Sequence, residues 1–503
     1  MASALLPIEI WSHILRQVPK SNLSQVLEVC SLFHDLAVPI LFESIKIYFM
    51  NGQNGLSMLN TDDSLWMEEI AYKLMRRSWE LLNHIAHNLR FASYVKSITV
   101  IAYADGLSVF EQLTLANAMA FVSNLQTFRW IGNNPVFDEM VAKRLPPTLQ
   151  RLVVQSHLPL NDLPHFQNLS TLHLSIPFLF PDDEEAHDNF VHDALLESPY
   201  TDLQIAAILE DISSNLTSLR ITASDVRGVP IRLYSQLKDL EIFGTIGDDE
   251  ELVGLDLVFR YATSLESLSP VGYFVPAMFS FFLPFSSDTL PHLTSFRLSC
   301  DYSTLGESND WELQSLCQFL QGRALLRRLY LRIPTMTWNH VMSLFPTIKE
   351  LAALEVLGLH TGKEFIAEDV LYSLAQILSP KLRALHLGIR WDGASILPLV
   401  GVSYLGNSTF INIGINFQVD AIGTLPRLSF VHLYGAIGRL PLQIADFAVQ
   451  NEALQTIGLN RALWTINRVG PDILTEKWPR WKIKFCVEED FVCEDDAWLF
   501  KYY

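Results

Sequence analysis

The chain has 503 residues, of which 49% are hydrophobic and 18% are charged, and its formal net charge is −19. This composition is typical of an ordered protein, and a chain of this length needs either several domains or one core extended by repetition. Nucleic acids and anionic membranes are bound through clustered Lys and Arg, so the acidic balance argues against both as partners.

The cellular location is predicted by the start of the chain, its cysteines and its apolar stretches. The first residues interrupt the apolar positions with Glu9, His13 and Arg16, unlike a secretory signal peptide. Five widely spread cysteines suit a reducing compartment. The longest apolar stretch, residues 273–285, is too short to span a bilayer and contains two prolines. We therefore expect a cytoplasmic or nuclear protein without a membrane segment.

The first predicted elements are three short helices between residues 5 and 40. Pro7 suits the first turn of the first helix and Pro19 ends it. Ser21 is suited to cap the second helix, and the third should end before Pro39. A bundle of about forty residues cannot bury this much apolar surface alone, so it needs a partner or a neighbouring domain.

This N-terminal module resembles the F-box. The segments LLPIEIWSHILRQVP and LSQVLEVCSLFHDLA carry the resemblance, and the continuation VPILFESIKIYF is similar to fungal F-box proteins. The resemblance implies docking on the Skp-type adaptor of a cullin-RING ubiquitin ligase. The matching positions expected to bind the adaptor are Leu6, Pro7, Ile10, Trp11, Ile14, Leu15, Val18, Leu23, Val29, Cys30, Phe33 and Leu36. Ser31 departs from the pattern, because many F-boxes carry a basic residue there. The alternative is a helical cap on the following domain.

A repeat follows the N-terminal module. The pattern L-x-x-L-x-L, with other apolar residues allowed, recurs from Val95 to Leu459, and several successive copies are 28 residues apart. In a strand the last two apolar positions of each copy point to the same side, into a core. Stacked copies predict a parallel sheet on the inside of a curved solenoid, with returning segments such as 368–378 as outer helices. The repeats resemble the leucine-rich repeats of intracellular proteins.

The predicted fold class is therefore α/β, with an N-terminal three-helix F-box followed by a curved leucine-rich-repeat solenoid. The expected domains are an F-box at 1–45, a linking strand and helix that cap the solenoid at 46–92, the solenoid at 93–480, and a C-terminal cap with an acidic aromatic tail at 481–503. An acidic insertion at about 178–205 separates two repeats.

The residue between the last two apolar positions of each repeat is expected to project into solvent, because it has the opposite parity. These positions and their flanks are rich in Arg and His, which favours an acidic or phosphorylated segment of a target protein as the ligand. The residues predicted to bind this target are Arg129, His173, Arg220, Arg297, Arg328, Tyr330, Arg332, His386 and His432. The alternative is an ordinary solvated sheet surface whose Arg stems cover apolar neighbours.

Catalytic, metal and cofactor sites are not expected. His187 and His192 are five residues apart, which misses the spacing of a helical zinc site, and the glycines at 401–406 lack the lysine of a phosphate-binding loop. The sequence predicts a non-enzymatic substrate receptor that reaches cullin and RING subunits through the adaptor. A binding scaffold without a ligase role, or an enzyme with a site between residues 169 and 216, remain as alternatives.

Overall fold

The chain is described from a computed structural model. The residues that the structure describes are 6–18, 20–59, 66–106, 108–156, 166, 168–175, 201–212, 214–246, 249–274, 288–300, 310–333, 336–392, 425–437 and 444–501. Residues 178–200 of the acidic insertion, which include His187 and His192, and the glycines at 401–406 lie outside these ranges, whereas residues 201–205 are described. Within these ranges no helix combines the length and the apolar character that a membrane crossing requires.

The chain is a mixed α/β protein with a sheet of 16 strands, β1 to β16, that follow one another in chain order. Two compact units divide it. The first contains residues 1–180 and 199–220, and the second contains 181–198 and 221–503.

The first unit begins with the three expected helices, α1 (Ile8–Gln17), α2 (Lys20–Val26) and α3 (Ser31–Leu41). Pro7 precedes α1 as its N-cap, and its carbonyl accepts hydrogen bonds from the N–H groups of Ile10 and Trp11. The expected cap at Ser21 is wrong, because α2 begins one residue earlier. The expected end of the third helix is also wrong, since α3 continues through Pro39 to Leu41, although Pro39 has no N–H for an intrahelical hydrogen bond.

The rest of the first unit alternates helices with parallel strands. Its further elements are β1 (Ser44–Phe49), α4 (Gly52–Leu59), α5 (Met67–His87), α6 (Leu89–Ala92), β2 (Ser97–Tyr103), α7 (Val109–Met119), β3 (Thr127–Asn134), α8 (Glu139–Ala142), β4 (Arg151–Gln155), β5 (Thr171–Ser175), α9 (Asp202–Ile212) and β6 (Ser218–Thr222), whose last two residues belong to the second unit. Equivalent motif positions pair in register, as in Phe128 with Leu152 and Leu152 with Leu172. Each repeat therefore contributes its leucines to one continuous core.

An aromatic cluster forms part of this core. Trp130 is fully buried, and its ring centroid lies 5.5 Å from Phe137 and 6.3 Å from Phe49. The Trp130 indole N–H donates to the carbonyl oxygen of Gly132 at 3.1 Å, so its one polar group is satisfied.

The second unit continues the same alternation. Its elements are a 3-10 turn (Val226–Gly228), α10 (Ile231–Tyr234), β7 (Asp239–Ile246), α11 (Asp249–Tyr261), β8 (Ser267–Phe274), β9 (Ser295–Cys300), α12 (Asp310–Leu320), β10 (Arg328–Ile333), α13 (Trp338–Met342), α14 (Phe345–Glu350), β11 (Val356–Phe365), α15 (Glu368–Ile377), β12 (Ala384–Asp392), β13 (Phe430–Ile437), α16 (Ile444–Gln450), β14 (Thr456–Leu459), β15 (Ala462–Val469), β16 (Asp472–Lys477), α17 (Arg480–Lys484), a second 3-10 turn (Glu488–Asp490) and α18 (Glu494–Phe500). The helix predicted within 368–378 is confirmed as α15.

The end of the sheet differs from the expected parallel repeat. Strands β7 to β14 pair in parallel, but β14, β15 and β16 pair antiparallel. A tight turn at Gly470, whose φ is +62°, joins β15 to β16. Residues 462–477 are therefore a hairpin at the end of the parallel array rather than another repeat.

Candidate protein-binding surfaces

The N-terminal helices expose much of their apolar surface. In α1 the side chain of Leu15 is buried, whereas Ile8, Ile10 and Ile14 are exposed. The large apolar side chains exposed in this module are Leu6, Ile8, Ile10, Ile14, Val29 and Leu32. Several large apolar side chains exposed on one small module are typical of a protein-binding site.

The twelve residues predicted to bind the adaptor divide into two groups. Those at least partly accessible are Leu6, Pro7, Ile10, Trp11, Ile14, Val18, Val29, Cys30, Phe33 and Leu36. Leu15 and Leu23 are instead buried with Ala37 in the core of the three helices, so they position the exposed residues and are not contacts themselves. The Trp11 and Phe33 rings meet edge to face at 4.9 Å and fix α1 against α3.

Seven of the nine residues predicted to bind a target are buried, contrary to the expected exposure, and they are Arg129, His173, Arg220, Arg297, Tyr330, His386 and His432. Arg328 and Arg332 are partly buried. The parity prediction itself holds, because in the second unit Arg297, Tyr330, Gly358, His386 and His432 lie opposite one another in a single row across β9 to β13. We call this row the central row.

The C-terminal segment, residues 478–501, covers the central row. Its side chains Trp478, Leu499 and Phe500 are buried in one cluster with Tyr330. The cluster also contains Val356, Ala384 and Phe430, which form a neighbouring row two residues earlier on the same face. Gly358 makes room for this contact, since a Cβ there would lie 2.1 Å from the Tyr330 ring and 2.9 Å from Leu499 Cδ1. The face is therefore an occupied surface.

Arg297 is enclosed between two aromatic rings. Its guanidinium carbon lies 4.6 Å from the ring centroid of Tyr330 and 4.4 Å from that of Trp498. Its Nη2 group donates to the carbonyl oxygen of Trp498. Burial lowers the pKa of Arg297 to about 10, against the opposing influence of Tyr330 and Glu241, so the group stays charged at neutral pH. Stacking and a charge-assisted hydrogen bond thus fix Trp498 on β9.

Asp495 of α18 binds two arginines of the sheet, Arg328 at the start of β10 and Arg327 just before it. Arg327 Nη2 and Arg328 Nε donate to Asp495 Oδ1 at 2.8 and 2.7 Å, and Arg327 Nη1 donates to Oδ2 at 3.0 Å. Burial alone would raise the pKa of Asp495, but the two guanidinium groups hold it below its ordinary value. Arg328, which we expected to face a target, is therefore already paired.

The last described residue extends the covered surface to β7. Lys501 Nζ lies 2.6 Å from Oε2 of the buried Glu241, while the neighbouring Phe500 ring lies 5.3 Å from the His432 ring in β13. Adjacent strands are about 4.8 Å apart, so β7 and β13 would be about 29 Å apart in a flat sheet. Two consecutive residues reach both strands because the sheet of this unit curves around the C-terminal segment.

The histidines of this face carry no charge at neutral pH. Burial, followed by the charge of Arg332, lowers the pKa of His360 to about 3, and burial lowers that of His432 to about 4. His432 Nε2 donates to the carbonyl oxygen of Asn460 at 2.7 Å. Its Nδ1 is then the acceptor in the 3.0 Å contact with His386 Nδ1. The positive charge of this face therefore comes from its arginines.

Asp496 is the one described acid whose pKa is raised to near neutrality. Burial and the adjacent Asp495 carboxylate raise its pKa to about 7, against the opposing charge of Arg383. The unfolded value of 3.8 is lower, so ionisation costs the folded state up to about 4 kcal/mol.

We expect Asp496→Asn to stabilise the protein at pH 8 by about 2 to 4 kcal/mol. The gain should be absent below pH 4, grow between pH 4 and 7, and stay constant above pH 7, because between the two pKa values the unfolded carboxyl has lost its proton while the folded carboxyl still holds it. Urea denaturation of both proteins at several pH values measures it. A gain that does not change with pH would contradict the assignment.

The first unit holds the other predicted target residues. Arg129, His173 and Arg220 share one row of its sheet with Thr99 and Val153. Arg129 donates to Ser97 Oγ at 3.1 Å, and His173 Nε2 lies 3.1 Å from Ser218 Oγ. The Arg129 and His173 side chains therefore interact with hydroxyl groups within their own sheet.

The role of the C-terminal segment was not predicted from the sequence, although one signal was present. Val356, Ala384 and Phe430 are apolar residues at the parity expected to face solvent. When both the odd and the even positions of a strand are apolar, the strand is typically part of a parallel sheet that is buried on both faces. This pattern in three successive strands indicated a cover on the inner face.

Metal binding has no candidate among the described residues, where no group of His, Cys, Asp and Glu is arranged to hold an ion. Cys486 and Cys493 form no disulfide among the described residues. A scan against protein-family models and a search of curated proteins both found no match to this chain.

Proposed function

We propose that this chain is an F-box protein with a leucine-rich-repeat body that acts as the substrate receptor of a cullin-RING ubiquitin ligase of the SCF type. In this proposal α1 to α3 dock on the Skp-type adaptor, and the repeats hold a target protein. The observation that carries the proposal is the exposed apolar surface at Leu6, Ile10 and Ile14, which coincides with the F-box motif.

The geometry of α1 supports adaptor docking. Ile10 and Ile14 are four residues apart, so they lie one above the other on the same side of the helix. Leu6 and Pro7 precede the helix at its N-terminus, while Leu15 points into the module core. The exposed residues can leave water only by contact with another protein or domain, and an apolar groove on an adaptor would supply that contact.

The repeat body supports the receptor role. Each motif copy within the described ranges ends in one of the strands β2 to β14. The parallel strands pair in chain order with helices between many of them, as expected for a leucine-rich-repeat solenoid. Such arrays offer a long rigid face for a protein ligand. The chain itself needs no reactive group, because ubiquitin transfer is carried out by the enzyme that the other ligase subunits recruit.

We expect Ile10→Asp to weaken binding to the purified Skp-type adaptor at least 100-fold, because it places a carboxylate in an apolar interface. Leu6→Ala with Pro7→Ala should also abolish adaptor co-purification. Isothermal titration calorimetry measures the affinity.

The matched control is Ile231→Asp, because this isoleucine is similarly exposed but lies in α10 of the second unit. It should leave adaptor affinity unchanged. Circular dichroism checks that the variants are folded. Undiminished adaptor binding by Ile10→Asp would overturn the docking assignment.

A further inference from the structure

We infer that residues 494–501 occupy the target site as an intramolecular ligand, and that the target presents an acidic and aromatic segment of the same chemistry. Its pattern is a carboxylate, a neutral residue, a small residue at the place of the buried Ala497, and then apolar side chains similar to Trp, Leu and Phe. This inference rests on the proposed function, since it names the class of target that the receptor holds.

The chemistry of the covered face matches such a segment. Two guanidinium groups, those of Arg327 and Arg328, converge on a single carboxylate, which is the arrangement that recognises acidic side chains. Trp498, three residues after Asp495 in the C-terminal segment, packs its ring against the guanidinium group of Arg297, which also stacks on Tyr330. The site therefore binds a carboxylate and an aromatic side chain that are three residues apart in the ligand.

The next two positions of the segment, Leu499 and Phe500, are recognised through packing. The absence of a side chain at Gly358 leaves a recess beside Tyr330 that Leu499 fills. Phe500 packs against the rings of His432 and Phe491, at centroid distances of 5.3 and 5.7 Å. An apolar residue followed by an aromatic residue satisfies both contacts, whereas a charged residue at either place would be buried without compensation.

The present occupant fits imperfectly at one position. Asp496 is 1% exposed, and its Oδ1 atom has no hydrogen-bond partner among the described residues. A second carboxylate next to Asp495 also repels it. A target with a neutral residue at this position avoids both costs and so competes with the chain's own segment. This is the reason for the neutral residue in the proposed pattern.

The occupant can leave without removing a strand. Residues 494–500 form helix α18, and the contacts with the sheet described above are made by side chains of residues 494–501 and by the carbonyl oxygen of Trp498. The side chain of Glu494 at the start of α18 is 94% exposed, and Val492 just before it is 72% exposed. A tethered segment competes at an effective concentration that reaches the millimolar range, so a free peptide should bind weakly until the tethered copy is weakened.

The test uses the full chain and a fluorescent peptide with the sequence of residues 488–501 carrying Cys493→Ser. We expect this peptide to bind the full-length double variant Asp495→Asn/Trp498→Ala at least tenfold more tightly than the wild type. A peptide that also carries Asp496→Asn should bind more tightly still, and one that carries Asp495→Lys should not bind. The control chain Val492→Ala, whose exposed substituted residue lies outside residues 494–501, should behave as the wild type.

Hydrogen exchange of the wild-type chain provides a test that does not depend on the stability of the double variant. Saturating Asp496→Asn peptide should accelerate exchange at residues 494–501 and leave β10 to β12 protected. Unchanged exchange, or equal peptide binding by the wild type and a folded double variant, would overturn the inference.

Adaptor binding, measured on the same preparations, separates the two proposals. Adaptor binding without peptide binding defeats the inference alone, and peptide binding without adaptor binding defeats the proposed function alone.

Discussion

Replacing Asp495 by Ala is expected to lower the free energy of unfolding of the second unit by about 3 kcal/mol. Asp495 is 2% exposed and accepts hydrogen bonds from Arg327 and Arg328. Removing the carboxylate leaves two neighbouring guanidinium groups without their shared counter-charge. Arg327 is one-third exposed, so water compensates part of the loss and the effect falls at the lower end for a buried ion pair. Urea denaturation followed by tryptophan fluorescence measures the change.

Glu494→Ala is the matched control, because it removes the neighbouring carboxylate of the same helix. The Glu494 side chain is 94% exposed and lies 3.9 Å from Arg328, so its removal should change the free energy of unfolding by less than about 0.5 kcal/mol. Equal effects of the two substitutions would show that Asp495 does not hold the C-terminal segment on the sheet.

Replacing Trp130 by Ala is expected to cost the first unit about 4 kcal/mol, since it empties the space of a fully buried ring. The neighbours Phe49 and Phe137 belong to other segments, so the cavity opens between several elements rather than at one loop. Thermal and urea denaturation measure the loss.

Trp79→Ala is the control for this prediction. Trp79 lies on α5 and is 57% exposed, so the same change of side chain should cost less than about 1 kcal/mol. A cost for Trp130→Ala no larger than that for Trp79→Ala would contradict the placement of Trp130 in the core of the first unit.

The strands could be predicted from the sequence because their signal is local and repeated. In β10 the alternation of Leu329 and Leu331 with the residues between them defines a strand, and equivalent copies 28 residues away define its partners. The helices of the N-terminal module were predicted for the same reason. Their ends were less accurate, because proline disfavours a helix without excluding it, and α3 continues two residues past Pro39.

The occupied face could not be predicted because it depends on contacts between distant parts of the chain. Asp495 and Arg327 are 168 residues apart, and Lys501 and Glu241 are 260 residues apart. Side-chain parity placed Arg297, His386 and His432 on one face, but exposure depends on what packs against that face. The neutral state of the histidines follows from the same burial, so it was equally hidden from the sequence.

The most direct test of the proposed function is purification of the tagged full-length chain from cells, with quantification of the Skp-type adaptor and the cullin that accompany it. We expect both subunits with the wild-type chain, and neither with Ile10→Asp, whose substituted residue is exposed on α1. Adaptor without cullin would instead support a scaffold outside the ligase. Absence of the adaptor from the folded wild-type chain would contradict the F-box assignment itself.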